Sequence, residues 1–389
     1  MNKIAQLAKK YKKEIINYRR EFHMYPEASK KEFRTSKRIM EELHKIEVPC
    51  RIISGTGVIA EIKGNNFGKT VALRADIDAL NVREKNNVPY KSKNEGLMHA
   101  CGHDCHIAML IGAAKILNNM KDEIKGTVKL FFQPAEELAS GARDMIKEGA
   151  MEGVDGVFAI HVWSGLDSGK ISAESGPRMA AADLFKITVK GKGGHGAMPQ
   201  VCKDALVTAS AIVMNLQSIV SREISPFESA VLTVGKLISG TRFNVIAGEA
   251  IMEGTTRCYS KEVREILENS MKRVIEDTAK SYGAEANLEY SFGTPPTIND
   301  ENCSSIAIKS IEKIAGKDAI SKMEKLAPGE DFAEYMSLAP GALAFLGVRN
   351  KEKDAFYSHH NERFNVDEDV LDKGAALYAQ YAIDFLNDN

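Results

Sequence analysis

Apolar strands alternate with helices through the first half of this chain, and polar segments follow several of the strands. Residues 70–75, 126–132 and 156–160 are largely apolar runs, and the helical pattern of residues 106–120 separates the first two. Strands that are apolar on both faces are typical of a sheet covered by helices on both sides. The pattern predicts an α/β fold built on a doubly wound, mostly parallel sheet.

A different order of elements begins near residue 184. It runs strand, helix, two strands, long helix and strand, and ends at Gly293-Thr294-Pro295-Pro296. This is the order of a split, ferredoxin-like α+β unit. The sequence therefore predicts a catalytic domain in two parts, residues 1–183 and 295–389, with a domain inserted at residues 184–294.

Charge and composition exclude several classes of partner. The 389 residues carry 52 Lys and Arg against 53 Asp and Glu, a formal net charge of -1. No basic footprint for nucleic acid or an anionic membrane is present, residues 1–20 lack the apolar run of a secretory signal, and we expect no membrane-spanning stretch. The six cysteines are scattered over a long chain, unlike those of a small disulfide framework, so we expect most of them to be reduced thiols. We expect a cytoplasmic protein.

The segment His99-Ala100-Cys101-Gly102-His103-Asp104 holds a thiol, two imidazoles and a carboxylate in six residues. Cys101 and His103 are one residue apart, so both can reach one metal ion, which would hold the thiol as a thiolate. A buried structural cysteine beside a helix-capping Asp104 is the alternative interpretation.

Three other segments carry similar chemistry. Glu136 and Glu137 follow a strand and a proline, His161 ends an apolar run, and His359-His360 lies near the C-terminus. Because ligands of such sheets lie beyond the carboxyl ends of the strands, we expect the polar segments after the strands to share one rim. Taken singly, each also fits an acidic loop or a core histidine.

Together these segments offer one thiolate, one carboxylate and three imidazoles, from Cys101, one of Glu136 and Glu137, His103, His161 and one of His359 and His360. This mixed set suits zinc, manganese, cobalt or nickel. Five ligands exceed the four of a closed zinc site. If Cys101 bridges two ions, each has three protein ligands and a shared water, which is an open, hydrolytic arrangement.

Six motifs resemble those of the metal-dependent amidohydrolase family that includes hippurate hydrolase, indoleacetyl-amino-acid hydrolases and N-acyl-amino-acid deacetylases. In chain order they are Arg74-Ala75-Asp76-Ile77-Asp78-Ala79-Leu80, Met98-His99-Ala100-Cys101-Gly102-His103-Asp104, Phe132-Gln133-Pro134-Ala135-Glu136-Glu137, Gly193-Gly194-His195-Gly196-Ala197-Met198-Pro199, Gly254-Thr255-Thr256-Arg257 and His359-His360-Asn361. The match is collinear over nearly the whole chain.

The resemblance implies two divalent metal ions per subunit and a division of roles among the residues. The metal ligands it implies are Cys101, His103, Glu137, His161 and His360. Glu136 would be the general base, which takes a proton from the metal-activated water and passes it to the leaving amine. Asp78, rather than Asp76, would orient a ligand, His99 and His359 would be packing or supporting groups, and His106 would pack within its helix.

The resemblance also assigns roles within the inserted domain, which would be a lid and the dimerisation surface of a homodimer. His195 would reach the partner subunit's site and stabilise the tetrahedral oxyanion. Asn244 and Arg257 would bind substrate, the arginine through its forked donors. The chain departs from the family at Ala247, where proline is common. Because proline restricts the backbone, this difference concerns the stiffness of the loop and not its chemistry.

The sequence thus predicts hydrolysis of the amide bond of a small, linear N-acyl-L-amino acid. A dipeptidase or carboxypeptidase-like activity is the alternative within hydrolases. A metal-buffering or redox-sensing protein is the alternative of another class, and it leaves Glu136 without a role. The acyl group, the amino acid and the native metal stay open.

Overall fold

The computed structural model describes residues 2–388, which fold into helices and strands that follow the alternation of the sequence. The helices are α1 (Lys3–Met24), α2 (Phe33–Lys45), α3 (His103–Asn118), α4 (Gly141–Lys147), α5 (Ala205–Ser218), α6 (Lys261–Ser281), α7 (Glu301–Ala315), α8 (Phe332–Met336) and α9 (Leu371–Asn387). The strands are β1 (Cys50–Ile53), β2 (Gly57–Lys63), β3 (Asn66–Asp76), β4 (Lys125–Gln133), β5 (Gly156–Asp167), β6 (Ile171–Ser172), β7 (Gly176–Met179), β8 (Ala181–Lys190), β9 (Gly194–His195), β10 (Ala230–Ser239), β11 (Val245–Ile246), β12 (Glu249–Cys258), β13 (Glu285–Thr294), β14 (Thr297–Asn299) and β15 (Gly341–Arg349).

The chain divides into two compact units. The first runs up to Gly176 and resumes at Ile298–Glu324 and from Asp331 onward. The second consists of Pro177–Thr297 and Lys325–Glu330. The inserted segment predicted from the sequence, residues 184–294, lies within the second unit.

The first unit is built on a mixed seven-stranded sheet with the order β1-β2-β4-β3-β5-β15-β6. The four central strands, β4, β3, β5 and β15, are parallel to one another, whereas β1 and β2 at one edge and β6 at the other are antiparallel to their neighbours. The prediction of a mostly parallel sheet therefore holds only for the centre. The short turn between β1 and β2 permits only an antiparallel pair, because a parallel connection needs a crossover of a dozen residues or more.

Helices cover both faces of this sheet. On one face α1, α3 and α9 pack together, and Gly112 allows the close approach: an added Cβ would lie 2.8 Å from Ile15 and 3.0 Å from Ala375. On the other face Phe131 of β4 contacts Tyr335 of α8, with ring centroids 5.5 Å apart. The central strands are thus buried on both sides, which explains their apolar runs.

Strand β5 extends further than its apolar run suggests. It pairs with β3 only as far as Ala159 but continues alongside β15 to Asp167. His161 therefore lies within the strand, not at its end, on a stretch that has lost one neighbouring strand. This overhang exposes one side of β5 to the rim of the sheet.

The second unit has an antiparallel sheet of order β10-β12-β8-β13, against which α5 and α6 pack. Along the chain these elements run β8, α5, β10, β12, α6 and β13. A separate two-stranded ribbon pairs β9 with β11, with His195 opposite Val245.

One stretch within residues 2–388, Ala205–Glu223, is long and apolar enough to cross a bilayer, so the expectation that no stretch would qualify was wrong by length and composition. Its buried residues, which include Ala209, Ile212 and Leu216, belong to the core of the second unit. A core helix of this kind meets the same criterion as a membrane span.

A buried charged cluster joins α1 to the first turn of α3. Arg19 Nε donates to Asp104 Oδ2 at 2.9 Å, and His23 lies between two carboxylates, 2.8 Å from Asp104 Oδ2 and 3.1 Å from Glu84 Oε1. Burial and Arg19 lower the pKa of His23, but the two carboxylates outweigh them and hold it above its usual value. The cluster thus fixes the residue that follows His103.

We expect His23→Gln to remove one component of the pH dependence of stability. A histidine whose pKa is raised by folding contributes stability that is complete below about pH 6.5 and is lost as pH rises through its folded-state pKa. Urea unfolding of chelator-treated protein between about pH 6 and pH 9 should show a decline in the wild type that is weaker in the variant. The exposed His44→Gln serves as control and should retain the wild-type decline; an unchanged decline in His23→Gln would contradict the assignment.

Candidate metal centre

The turn at Gly102 positions Cys101 and His103 at the start of α3. Gly102 has a φ of 88°, and a Cβ at this position would lie 2.4 Å from Val162 Cγ2. Glycine is required on both counts, because other residues rarely adopt this conformation and no space exists for a side chain. The helix begins three residues earlier than the predicted residue 106, so His103 and Asp104 lie in its first turn.

Two histidines direct the same ring nitrogen towards Cys101. His103 Nδ1 donates to the backbone oxygen of Asp78 at 2.9 Å, and His161 Nδ1 donates to that of Val162 at 2.6 Å. These partners fix the tautomer and leave each Nε2 with a free lone pair. His161 Nε2 lies 3.7 Å from Cys101 Sγ, and the ligand atoms of Cys101, His103 and His161 all lie within 4.8 Å of one another.

Glu136 and Glu137 occupy a tight turn after β4. Ala135 and Ala139, on either side of it, adopt left-handed conformations with φ of 52° and 51°, which non-glycine residues rarely do. The backbone N–H of Glu137 donates to Asp78 Oδ2 at 3.1 Å. One oxygen of each glutamate lies within 4.8 Å of the other and of a His103 ring nitrogen, so the turn brings both carboxylates to the histidines.

His360, not His359, completes this cluster. Its φ is 64°, its backbone N–H donates to the oxygen of Ala100 at 2.8 Å, and its Nε2 lies 3.6 Å from Glu137 Oε1. The ligand atoms of Cys101, Glu137 and His360 lie within 4.8 Å of one another. Cys101 therefore belongs to two groups of three potential ligands.

The residues present fit a pair of divalent cations. His103 Nε2 and Glu137 Oε1 are buried and, among the described residues, have no hydrogen-bond partner, which is costly unless a cation satisfies them. Burial, reinforced by Glu137, raises the pKa of the Cys101 thiol, and burial likewise raises the pKa of Glu137. Burial lowers the pKa of His103, but Asp76 and Cys101 outweigh it, so the site attracts positive charge. A bound cation would supply that charge and hold the thiol as a thiolate.

Asp78 links three parts of the site. Its side chain accepts hydrogen bonds from the Ser29 hydroxyl at 2.6 Å and from the Glu137 backbone, and its Oδ1 lies 3.3 Å from His103 Nδ1. Burial raises its pKa, but the interactions with His103 and the hydrogen bond from Ser29 together outweigh burial and lower it. The carboxylate is ionised and fixes the position of two potential ligands.

The sequence assigned His106 and His359 to packing or support, and both prove to be hydrogen-bonded through both ring nitrogens. His106 contacts Asp76 and the backbone N–H of Val162, while His359 contacts Ser164 and the backbone oxygen of Val162. The spacing of three residues between His103 and His106 on one helix places both rings on one face, and this was the available signal. His99 is also buried, and burial lowers its pKa to about 4.

The second unit brings two of its three predicted residues together. His195 lies on β9, and the next residue, Gly196, donates its N–H to the oxygen of Asn244 at 2.9 Å. The backbone N–H of Ala197 donates to His195 Nδ1 at 3.1 Å, so the neutral ring carries its proton on the exposed Nε2. Arg257 lies outside this ribbon, on β12, where its Nη1 donates to the backbone oxygen of Thr256 at 2.8 Å.

We expect Gly102→Ala to reduce metal binding because the new Cβ would displace Val162 or the turn. Gly96→Ala is a matched control: Gly96 also has a positive φ, 83°, but an added Cβ would meet no atom within 4 Å. Conformational strain should lower the stability of the control by only about 1 to 2 kcal/mol, and the control should bind metal as the wild type does.

Urea unfolding and elemental analysis of protein equilibrated with a divalent metal measure both effects. A Gly102→Ala protein with wild-type metal content and no greater loss of stability than Gly96→Ala would contradict this account of the turn.

A family model described as peptidase family M20/M25/M40 matches residues 72–384. Thermostable carboxypeptidase 1 of Saccharolobus solfataricus is 40% identical over 378 residues, 96% of this chain and 95% of that protein. N-acyl-L-amino acid amidohydrolase of Geobacillus stearothermophilus is 41% identical over 298 residues, 76% of this chain and 80% of that protein.

Among solved structures, the YXEP protein of Bacillus subtilis is described as a dinuclear metal binding peptidase from the M20 family. It is 36% identical to this chain, with a TM-score of 0.87 over 97% of this chain and 99% of that one.

Proposed function

We propose that this chain, which belongs to peptidase family M20/M25/M40, hydrolyses the amide bond of small N-acyl-L-amino acids with two divalent metal ions. One observation carries the proposal: two groups of three ligands share Cys101, with Glu136 beside them. The similarity to an N-acyl-L-amino acid amidohydrolase and to a dinuclear metal binding peptidase supports it.

In the proposed site, Cys101, His103 and His161 hold one ion, and Cys101, Glu137 and His360 hold the other. When bound, zinc, manganese, cobalt or nickel would polarise the amide carbonyl and make water acidic enough to attack near neutral pH. The family implies the pair; the ligand types leave the choice of metal to geometry and availability.

Glu136 is the proposed general base. Its carboxylate is half-buried on the strained turn after β4, and the adjacent Glu137 is directed to the ligand cluster. It accepts a proton from the attacking water and donates it to the departing amine nitrogen. Asp78 holds the His103 ring and the Glu137 backbone in place during these transfers.

The second unit supplies the proposed contacts to substrate and to a second subunit. His195 presents an Nε2–H donor suited to a developing oxyanion, Asn244 lies beside it, and Arg257 offers a fork for the substrate carboxylate. Exposed apolar side chains in this unit, which include Met214, Phe227, Leu184 and Ile238, support a homodimer formed through it. We place the enzyme in the cytoplasm.

A carboxypeptidase-like or dipeptidase activity is the second candidate, because a carboxypeptidase is among the similar proteins. The two activities differ in whether a free amino group is accepted where an acyl chain would lie. Release of amino acid from matched N-acetyl, N-benzoyl and N-aminoacyl substrates distinguishes them. A non-catalytic metal-binding protein would not need Glu136.

We expect Glu136→Gln to reduce kcat by about 10²- to 10⁴-fold, because the amide cannot accept the proton. The neighbouring Glu137→Gln is the matched comparison and should lower the metal content, since it removes a ligand. Steady-state kinetics and elemental analysis of both proteins test the division of roles. Substantial turnover in Glu136→Gln would contradict the proposed base, and loss of its metal would contradict the separation of the two glutamates.

The proposed action of His195 on the partner subunit's site predicts complementation. His195→Ala and Glu136→Gln should each be inactive alone. After subunit exchange, one site in each mixed dimer regains both groups, so up to about a quarter of wild-type activity should return. Exchange is verified with differently tagged subunits. No recovery after proven exchange would contradict action across the dimer.

A further inference from the structure

His106 is the buried histidine closest to the proposed ligands that none of the assigned roles uses. Its side chain is 1% exposed, and its ring centroid lies 4.6 Å from that of His161. Nδ1 lies 2.5 Å from Asp76 Oδ1, and Nε2 accepts the backbone N–H of Val162 at 2.9 Å. The tautomer follows: Nδ1 carries the proton and Nε2 the lone pair.

Val162 is hydrogen-bonded to histidines through both of its backbone polar groups, which belong to two successive peptide units. Its N–H donates to His106, while its oxygen accepts His161 Nδ1–H at 2.6 Å and His359 Nε2–H at 2.9 Å. Gly102 packs against the Val162 side chain. Because these two groups flank the Val162 Cα, a shift of the backbone here would move the oxygen that orients the His161 ring.

His106 is not itself available as a ligand. One of its nitrogens lies near ligand atoms of Asp76 and His103, but both nitrogens already have partners. Binding a cation would break either the contact with Asp76 or the hydrogen bond from Val162. Asp76 is in turn held by Arg74 Nη1 at 2.6 Å, so this support is rigid.

We infer that His106, supported by Asp76, is a positioning residue that holds the backbone of Val162 so that His161 Nε2 faces Cys101. The inference rests on the proposed two-metal site and adds that His106 supports only one of the two metal positions. His106 acts on the group of Cys101, His103 and His161 through His161, which the other group does not contain. Glu137 is held through Asp78, and His360 through the backbone of Ala100.

The two metal positions should therefore respond differently to the loss of His106. In His106→Leu the affinity of the position that includes His161 should fall by about 10- to 100-fold, as is typical for partners of metal ligands. The other position should retain its affinity. In His106→Gln the amide oxygen can still accept the Val162 N–H, so this variant should recover part of the lost affinity.

Leu110→Ala is the control for general structural damage. Leu110 lies one turn further along α3 and is fully buried, so its truncation destabilises the helix but removes no hydrogen bond to the backbone of Val162. This variant should unfold at lower urea concentration and still bind two metal ions with wild-type affinities.

The experiment titrates each metal-free protein with Zn²⁺ at chelator-buffered free concentrations. Elemental analysis counts the ions per chain. Trp163, the single tryptophan of the chain, reports on the position near His161, because its ring centroid lies 5.9 Å from that of the His161 ring. Urea unfolding of the metal-free proteins gives their stabilities.

The expected result is one weakened and one unchanged metal step in His106→Leu, with partial recovery in His106→Gln. Two wild-type steps in His106→Leu would overturn the inference, and so would equal weakening of both steps. If His106→Leu fails to fold, the same comparison in His106→Gln decides, with a selective, smaller loss expected. A wild type that binds fewer than two ions would contradict the two-metal site itself, and the inference with it.

Discussion

Desolvation of polar side chains at the rim of the central sheet is the constraint on which the first unit depends. Buried polar groups require partners, and the structure supplies them for Asp78 Oδ2 and for both ring nitrogens of His106 and His359. His103 Nε2 and Glu137 Oε1 are left without one among residues 2–388. The unsatisfied atoms mark where cations would bind, and the satisfied groups around them form a rigid support.

The support depends on contacts between elements. The left-handed turn at Gly102 sets the first turn of α3 against Val162 of β5, which overhangs the sheet because β3 ends earlier. The buried cluster of Arg19, His23 and Asp104 ties the same turn to α1. Movement of α3 relative to β5 would therefore be opposed by packing and by charge at once.

Local sequence patterns predicted most of the fold because burial on both faces produces apolar runs that periodicity detects. They failed where local and tertiary preferences differ. The helix α3 was expected from residue 106, because His103 and Asp104 are polar, yet tertiary contacts extend it to them. The sequence analysis did not predict the edge strand β1. It also did not predict the antiparallel edges of the sheet, because the pattern of a single strand does not encode the direction in which it pairs.

The sequence by itself determined the chemistry: a thiol, carboxylates and imidazoles in the order of the amidohydrolase motifs. Only the tertiary structure decided that His360 contacts Glu137 while His359 stacks on Trp163, and that Cys101 belongs to two ligand groups. It also showed that His106 accepts the backbone N–H of Val162. The reason is physical: hydrogen bonds between distant residues fix these rings, and no local periodicity records which nitrogen finds which partner.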